Sequence, residues 1–230
     1  AKNITPYGIG KWTDGEVLRA ISSGVSKDGS ALFPVMPHPN YGKMDKEDVI
    51  SIIAYLRTIK PIENDIAESK VDFPMSFILN TIPRKASFSK IPDKKNAVAY
   101  GAYLFNVAAC FECHTKKEKG TPVVGMELAG GFEFPLPTGG IVRSANITTD
   151  KKTGIGNWTE EQFVSRFKIY GDSSYVPVNV KKGDGNTAMP WTMYGKMKTA
   201  DLKDIYAYIK TVKPIENKVV KFSKLLFVFK

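Results

Sequence analysis

The feature that most constrains this chain of 230 residues is the string C-F-E-C-H at residues 110–114, which holds its only two cysteines. On a helical turn Cys110 and Cys113 would share one face, so both thiols could bond the vinyl groups of a single porphyrin. His114, the next residue, could then offer an imidazole nitrogen to the iron. A C-x-x-C-H string of this kind indicates a covalent c-type haem attachment site.

Two other uses of paired cysteines remain as alternatives. A structural zinc site needs four ligands, usually from two Cys or His pairs, but the only other histidine is the isolated His38. A redox dithiol of the thioredoxin type does not require the following histidine and lies beside a βαβ pattern, which the flanking sequence does not show.

The second informative feature is an internal repeat. Residues 41–64 read YGKMDKEDVISIIAYLRTIKPIEN, and residues 194–217 read YGKMKTADLKDIYAYIKTVKPIEN. The two stretches are 153 residues apart, and the same spacing separates the Met-Pro pair at Met36 from the pair at Met189. Further upstream, N-I-T and G-I-G-x-W-T blocks occur once before each of these stretches. The sequence therefore contains two copies of one domain.

The first copy is incomplete. In the second copy the C-x-x-C-H string ends 32 residues before Asn146, whereas only two residues precede the matching Asn3. The sequence also begins at Ala1, without a starting methionine or a signal peptide. We expect a fragment or processed product of a longer chain that carries another C-x-x-C-H string. The alternative is a natural half-domain that has lost its haem.

The domain organisation follows from the repeat. We predict the C-terminal half of a first domain at residues 1–64, a Pro-containing linker at 65–95, a complete domain at 96–217 and a C-terminal extension at 218–230. The fold class is mainly α, with long loops such as the Gly- and Pro-rich stretch 115–145. Hydrophobic periodicity and capping residues predict the helices at 13–23, 46–59, 96–110, 159–170 and 199–212.

Charge and hydropathy limit the classes of partner. The net charge is +10, and it is uneven: residues 1–69 carry 8 basic and 9 acidic side chains, whereas residues 70–230 carry 25 and 14. An electropositive face would steer an acidic redox partner, although a solvated basic surface fits equally well. No recognised nucleic-acid motif accompanies the charge. The longest apolar runs, Met75–Leu79 and Leu225–Phe229, are far shorter than the roughly 20 residues of a membrane span, and we predict strands or linker segments there.

The order helix, C-x-x-C-H, long loop, N-I-T with G-I-G-x-W, helix, M-P and a last helix with Y-[IL]-[KR] resembles class I cytochrome c domains. More closely, it resembles the tandem-domain cytochromes that are subunits of membrane-associated alcohol and gluconate dehydrogenases. The match covers nearly all of residues 97–217 and, in its latter half, residues 3–64. The resemblance implies a mainly α fold of tandem domains, with helices joined by long loops around a covalently bound haem.

The resemblance implies that His114 is the proximal iron ligand and Met189 the distal ligand. A thioether is a soft, neutral donor that favours ferrous iron, which suits an electron carrier. Of the seven methionines, only Met36 and Met189 precede a proline. We therefore expect Met36 to ligate the iron of a first haem, if that haem is present. Pro190, which follows Met189, is expected in the haem pocket.

Three further side chains are candidates for the haem pockets. Trp158 and Trp12 are expected near the porphyrin edge of the second and the first haem, where an indole N–H could bond a propionate, with ordinary core packing as the alternative. Arg143 could pair with a propionate. His38 aligns with Trp191, which cannot ligate iron, so we expect His38 at the surface or at a pocket rim.

An iron with two protein ligands has no open position for a substrate, so the expected function is one-electron transfer between a dehydrogenase or respiratory donor and an acceptor, not catalysis. The resemblance implies one haem c on this chain and a second in the intact protein. It also implies a periplasmic or otherwise exported location, with membrane association through partners or a missing N-terminus. The alternatives are a peroxidase-like or gas-binding haem protein and a haem-free dithiol or zinc module.

Overall fold

The computed structural model describes residues 2–224, and the chain divides into two compact units, Ala1–Ile91 (unit 1) and Pro92–Lys230 (unit 2). Unit 1 contains the helices α1 (Pro6–Ile9), α2 (Asp14–Ser23), α3 (His38–Tyr41), α4 (Lys46–Thr58) and α5 (Met75–Leu79). Unit 2 contains the helices α6 (Ala97–Val107), α7 (Cys110–His114), α8 (Glu160–Gly171), α9 (Trp191–Tyr194) and α10 (Thr199–Ile209).

Short strands in unit 2 form two small antiparallel sheets. One sheet pairs β1 (Lys117–Glu118) with β2 (Thr121–Pro122). The other has the order β3 (Glu133–Pro135), β4 (Ile141–Arg143) and β5 (Phe222–Ser223). The strands β1 to β4 lie within the predicted loop 115–145. The strand β5 comes from residues 222–223 and pairs with β4.

Capping residues determine where the predicted helices begin. Thr13 and Glu16 form a capping box at the start of α2, and Thr159 and Gln162 form the same box at the start of α8. Each box satisfies two backbone N–H groups that the first helical turn leaves unpaired. The helices predicted at 13–23 and 159–170 are confirmed.

The helix predicted at 96–110 is wrong at its end. The helix α6 stops at Val107, and Ala109 has a left-handed backbone with φ 52° before α7 begins at Cys110. Hydrophobic periodicity continues through this turn, so the sequence pattern does not reveal the break. The haem motif therefore lies on a separate one-turn helix.

Other predicted boundaries also shift. The last helix has Lys198 at its N-cap without a side-chain cap, and it ends at Ile209 rather than Val212. Met75–Leu79 is the helix α5 and not a strand or a linker segment. Of the predicted extension 218–230, residues 222–223 form β5, whereas residues 225–230, with the run Leu225–Phe229, lie outside the described residues.

The predicted linker 65–95 mostly belongs to unit 1. Ser87 donates its N–H to the Gly42 carbonyl at 2.8 Å, and Ile91 donates its N–H to the Asp45 carboxylate at 2.9 Å. These bonds tie the end of the segment to the loop that precedes α4. The unit boundary accordingly follows Ile91.

The internal repeat is also a structural repeat. Asn3 Nδ2 donates to the Ile62 carbonyl at 2.9 Å, and Asn146 Nδ2 donates to the Ile215 carbonyl at 2.8 Å. In both units the asparagine Oδ1 accepts a hydrogen bond from the threonine hydroxyl two residues later, at 2.7 and 2.8 Å. The N-I-T block thus fastens the K-P-I-E-N segment in the same way in each unit.

The helices α6 and α10 cross at very short distance in the core of unit 2. A Cβ atom on Gly101 would lie 1.8 Å from the Asp204 carbonyl oxygen, so only glycine permits this approach. On either side of Asp204 in sequence, α10 buries Leu202, Ile205 and Ile209. The core cluster around these residues comprises Phe105, Leu128, Ile155, Phe163, Ile205 and Ile209.

Candidate haem-binding site

The one-turn helix α7 presents both cysteines. The left-handed Ala109 ends the preceding turn and starts α7 at Cys110, so Cys110 and Cys113 lie three positions apart on one helical turn. Both thiols are free, and Cys110 is half-buried whereas Cys113 is exposed. The predicted pairing of two thiols on one face is therefore present.

The acidity of these thiols distinguishes between their uses. Burial raises the pKa of the Cys110 thiol to about 12, and the neighbouring Cys113 adds to the effect. Burial also raises the pKa of Cys113, although Lys117 opposes it. A redox dithiol needs a lowered pKa to supply a thiolate near neutral pH. The environment of the two thiols is therefore unsuited to the dithiol alternative.

The His114 ring is oriented by a backbone carbonyl. Its Nδ1 lies 2.8 Å from the carbonyl oxygen of Ala145, 31 residues along the chain. A carbonyl oxygen can only accept, so Nδ1 carries the hydrogen and Nε2 keeps its lone pair. Burial lowers the pKa of His114, which keeps the ring neutral at pH 7. A neutral imidazole held through its other nitrogen is the usual form of a metal-ligating histidine.

Sequence reasoning missed Ala145 as a functional residue. Its contribution is a backbone carbonyl, which every residue type possesses, so no side chain marks it. The only signal was its position directly before the N-I-T block.

Met189 lies in the loop immediately before α9. Its N–H donates to the Thr187 hydroxyl at 3.1 Å, and its carbonyl accepts the Trp191 N–H at 2.9 Å. Two other methionines follow Met189 closely in sequence: Met193 is 73% exposed, and Met197 packs against the core cluster. Neither Met193 nor Met197 therefore lies in the loop before α9, where Met189 is found.

The helix α9 is held from two sides. The Tyr194 hydroxyl donates to the Ala108 carbonyl at 2.8 Å, next to the turn that leads into α7. On the other side, the Lys168 ammonium of α8 donates to the Met197 carbonyl at 2.5 Å and to the Gly195 carbonyl at 3.3 Å. The fold thus joins α9, which follows the Met-Pro loop, to the turn that precedes Cys110.

The other predicted pocket residues have the following surroundings. Trp158 is 36% exposed, and its carbonyl accepts the Tyr206 hydroxyl at 2.7 Å. Trp12 is half-buried, and its carbonyl accepts from the Arg57 guanidinium at 2.6 Å. Pro190 is exposed and forms the N-cap of α9. Their places in haem pockets stay predictions.

Arg143 has partners other than the predicted propionate. Its guanidinium pairs with the Glu133 carboxylate at 2.8 Å and donates to the Ser223 hydroxyl at 3.0 Å. These contacts link the three strands β3, β4 and β5. The pairing of Arg143 with a haem propionate stays a prediction.

The expectation that His38 lies at a surface or a rim is wrong. The residue is 0% exposed, and neither ring nitrogen has a hydrogen-bond partner among residues 2–224. A Cβ atom on Gly24 would lie 2.5 Å from His38 Nε2, so the imidazole packs directly under the left-handed end of α2. Burial lowers the pKa of His38.

The donor set in unit 2 fits a haem c. It combines two thiols on one turn, a neutral imidazole whose Nδ1 is held by a carbonyl, and a thioether in the loop before α9. Within residues 2–224, no group of three or more His, Cys, Asp or Glu side chains is placed to hold a metal ion. The zinc alternative therefore finds no ligand set in that part of the chain.

Comparison with known families agrees with this geometry. The cytochrome c family model matches residues 98–213, which is half of the chain and includes Cys110, Cys113, His114 and Met189. The chain belongs to the cytochrome c family. Membership confirms the predicted mainly α cytochrome fold, covalently bound haem c as the cofactor and electron transfer as the function.

Several relatives of this cytochrome c are dehydrogenase subunits, which confirms the predicted resemblance. It is 28% identical over 229 residues to the cytochrome c subunit of alcohol dehydrogenase (quinone) of Gluconacetobacter polyoxogenes, covering 93% of this chain and 47% of the relative. It is 30% identical over 184 residues to the fructose dehydrogenase cytochrome subunit of Gluconobacter japonicus, covering 72% and 36%. The chain thus spans less than half the length of these dehydrogenase subunits.

A third relative is a diheme cytochrome c-type protein of Cereibacter sphaeroides. The identity is 28% over 225 residues, which covers 93% of this cytochrome c and 71% of the relative. Within residues 2–224, this cytochrome c has no helix that is long and apolar enough to span a membrane.

Proposed function

We propose that this cytochrome c passes single electrons from a dehydrogenase partner to a further acceptor, through a haem c bound to Cys110 and Cys113 and ligated by His114 and Met189. The observation that carries the proposal is the contact between His114 Nδ1 and the Ala145 carbonyl at 2.8 Å, which leaves Nε2 free to ligate. The bound haem supplies a one-electron ferric/ferrous couple.

Each residue has a defined part in this mechanism. Cys110 and Cys113 would hold the haem by two thioether bonds from one helical turn. The haem would then stay attached in both its ferric and its ferrous form. His114 is kept neutral by burial and is oriented by Ala145. Met189 adds a neutral, soft donor, which favours the reduced state and raises the potential. The apolar core cluster packs against Cys110 and Phe111 and so supports one side of the attachment turn.

The identity of the partner is inferred from relatives and charge. Curated relatives are named as cytochrome subunits of alcohol, fructose and gluconate dehydrogenases. Unit 2, residues 92–230, carries 21 basic and 13 acidic side chains. We therefore propose an exported protein whose basic unit 2 docks on an acidic face of a membrane-associated dehydrogenase.

For unit 1 we propose the distal half of a second haem site. Ile52 and Ile205 occupy the same repeat position, but Ile52 is 41% exposed on α4 whereas Ile205 is 4% exposed on α10. Tyr55 is 67% exposed, whereas the matching Tyr208 packs edge-on against Phe105 of α6 at 5.1 Å. The exposed apolar face of α4 thus corresponds to the face of α10 that α6 covers in unit 2.

Two further side chains support this role for unit 1. Met36 has the same Met-Pro context as Met189, and in both loops the Met carbonyl accepts the N–H two residues later, at 2.7 and 2.9 Å. The buried His38 ring has no hydrogen-bond partner within residues 2–224. A buried polar group without a partner is rare in native structures, so the His38 imidazole is a polar group that still lacks a partner among the described residues of unit 1.

The test of the proposal for unit 2 is spectroscopic. We expect one haem per chain, a low-spin ferric spectrum with the near-infrared band of iron–thioether bonding, and no CO binding by the reduced protein. A high-spin ferric spectrum with rapid CO or cyanide uptake would instead assign a catalytic or gas-binding haem protein. Purified protein without a Soret band would assign the haem-free module.

The proposal for unit 1 needs a separate experiment. A haem peptide with the sequence of residues 96–116, which contains α6 and α7, should bind the α4 face and acquire a second thioether band. The Met36→Ala variant should bind the peptide without that band. Equal spectra for the two proteins, or no binding, would contradict the second site without affecting the first.

A further inference from the structure

Tyr194 makes a hydrogen bond that joins the two halves of the unit 2 site. Its hydroxyl donates to the carbonyl of Ala108 at 2.8 Å, across 86 residues of sequence. Ala108 is the C-cap of α6, where helix geometry leaves carbonyl groups without an intrahelical partner. The hydroxyl therefore satisfies a carbonyl that the helix end leaves unpaired.

The turn that receives this bond sets the direction of the haem attachment helix. Ala109 has φ 52°, a conformation that is unfavourable for a residue with a Cβ atom. Its N–H donates to the Asn106 carbonyl at 2.9 Å, and its carbonyl accepts the Glu112 N–H at 3.1 Å. The strained residue is thus held between α6 and α7, and a partner for Ala108 stabilises it.

The other end of the bond belongs to the loop that carries Met189. Tyr194 is the last residue of α9, five residues after Met189. Gly195, its neighbour, packs so closely on α8 that a Cβ atom there would lie 2.5 Å from the Gly171 nitrogen. This packing holds the backbone at Tyr194 against α8. The Tyr194 hydroxyl in turn holds the turn before Cys110 through its bond to the Ala108 carbonyl.

The internal repeat provides a comparison within the same chain. Tyr41 is the counterpart of Tyr194, again five residues after its Met-Pro methionine. Its hydroxyl makes no hydrogen bond to the described residues, and burial raises its pKa. Unit 1 thus offers a tyrosine at the same repeat position without this hydrogen bond, for comparison with Tyr194.

We infer that Tyr194 is a positioning residue, which holds the Met189 loop against the cysteine turn and thereby keeps the Met189 thioether on the iron. The inference rests on the proposed His114 and Met189 ligation. Without the hydroxyl, the loop should separate from the turn more often, and an external ligand should replace Met189 more easily.

The experiment uses the full haem-loaded chain and imidazole as the probe. Imidazole binds ferric iron only when Met189 has left, so its apparent affinity reports how often the loop opens. In Tyr194→Phe we expect the apparent imidazole affinity to rise about tenfold, in line with the loss of one hydrogen bond. The near-infrared band should also disappear at a lower imidazole concentration than in the parent.

Thr149→Val is the matched control. The Thr149 hydroxyl also donates to a backbone carbonyl, that of Val212 at 2.7 Å, which follows the end of α10 and is not part of the proposed haem site. Both variants should lose similar stability towards denaturant, whereas only Tyr194→Phe should bind imidazole more tightly. Equal imidazole affinities for both variants, raised or unchanged, would overturn the inference. A parent protein without the near-infrared band would instead overturn the proposed Met189 ligation, and this inference with it.

A second measurement avoids the variant altogether. In the parent, Ala108 and Ala109 donate their N–H groups to the Leu104 and Asn106 carbonyls. Saturation with imidazole should accelerate hydrogen exchange at these two amides, because displacement of Met189 loosens Tyr194. Unchanged exchange at both amides would contradict the coupling.

Discussion

His114 and Ala145 are joined through a glycine. The His114 carbonyl accepts the Gly130 N–H at 2.7 Å, and a Cβ atom on Gly130 would lie 2.5 Å from the Ala145 carbonyl carbon. Gly130 also has φ 77°. The long loop 115–145 therefore returns to the haem motif at this residue, and the glycine permits the contact between His114 Nδ1 and the Ala145 carbonyl.

Gly130→Ala should consequently disturb the ligand. We expect a loss of roughly 3 kcal/mol or more in the free energy of unfolding, since left-handed strain of about 1–2 kcal/mol is joined by a backbone clash. Gly120→Ala is the control, because Gly120 has φ 81° but no atoms near its hypothetical Cβ. Gly120→Ala should lower the free energy of unfolding only by the left-handed strain of about 1–2 kcal/mol. Denaturant titration of both variants checks this, and equal losses would contradict it.

Replacement of both cysteines by alanine should abolish covalent haem. Cys110→Ala with Cys113→Ala leaves only the axial bonds, so the haem should be lost on extraction with acidified organic solvent. Glu112→Gln, between the two cysteines, should keep the haem. The measurement is the haem absorbance that remains with the protein after extraction. Full retention in the double variant would exclude thioether attachment.

Met189→Ala should remove the distal ligand. The near-infrared thioether band should vanish, the potential should fall, and the reduced protein should gain CO binding, because ferrous iron loses its soft donor. Met193→Ala should change none of these, and it should cost little stability because Met193 is 73% exposed. Loss of the band in Met193→Ala but not in Met189→Ala would reject the assignment, and with it the parallel assignment of Met36.

The repeat predicts unequal costs for one substitution in two units. Ile205→Ala should lower the free energy of unfolding of unit 2 by about 2–5 kcal/mol, as for other buried large-to-small changes. Ile52→Ala should lower that of unit 1 by less than about 1 kcal/mol, because Ile52 is 41% exposed. Calorimetry of the two variants provides the comparison. Equal losses would mean that α4 already has a covering partner.

The charge of residues 70–230 should affect docking rates. Electron transfer with an acidic dehydrogenase partner should slow as the ionic strength rises above about 0.1 M, where the Debye length is about 10 Å. Lys181→Glu with Lys182→Glu should slow it further, whereas Lys60→Glu in unit 1 should not. Stopped-flow rates across a salt series test this. Rates independent of salt would leave only a solvated basic surface.

The sequence by itself determined the chemistry of the site. Covalent haem attachment needs Cys110, Cys113 and His114 within one turn, so the motif is local and its residue types are specific. The starts of α2 and α8 were predictable for the same reason, because a capping box is formed by side chains three residues apart. The repeat likewise predicted two copies of one domain without any knowledge of their contacts.

Only the tertiary structure decided which backbone groups serve the site. The Ala145 carbonyl that orients His114 and the Ala108 carbonyl that receives Tyr194 lie 31 and 86 residues from their partners. Backbone carbonyls are common to all residues, so no sequence pattern marks them. His38 was misplaced for a related reason: its burial depends on contact with Gly24 of another helix, and a histidine in sequence carries no record of what packs against it.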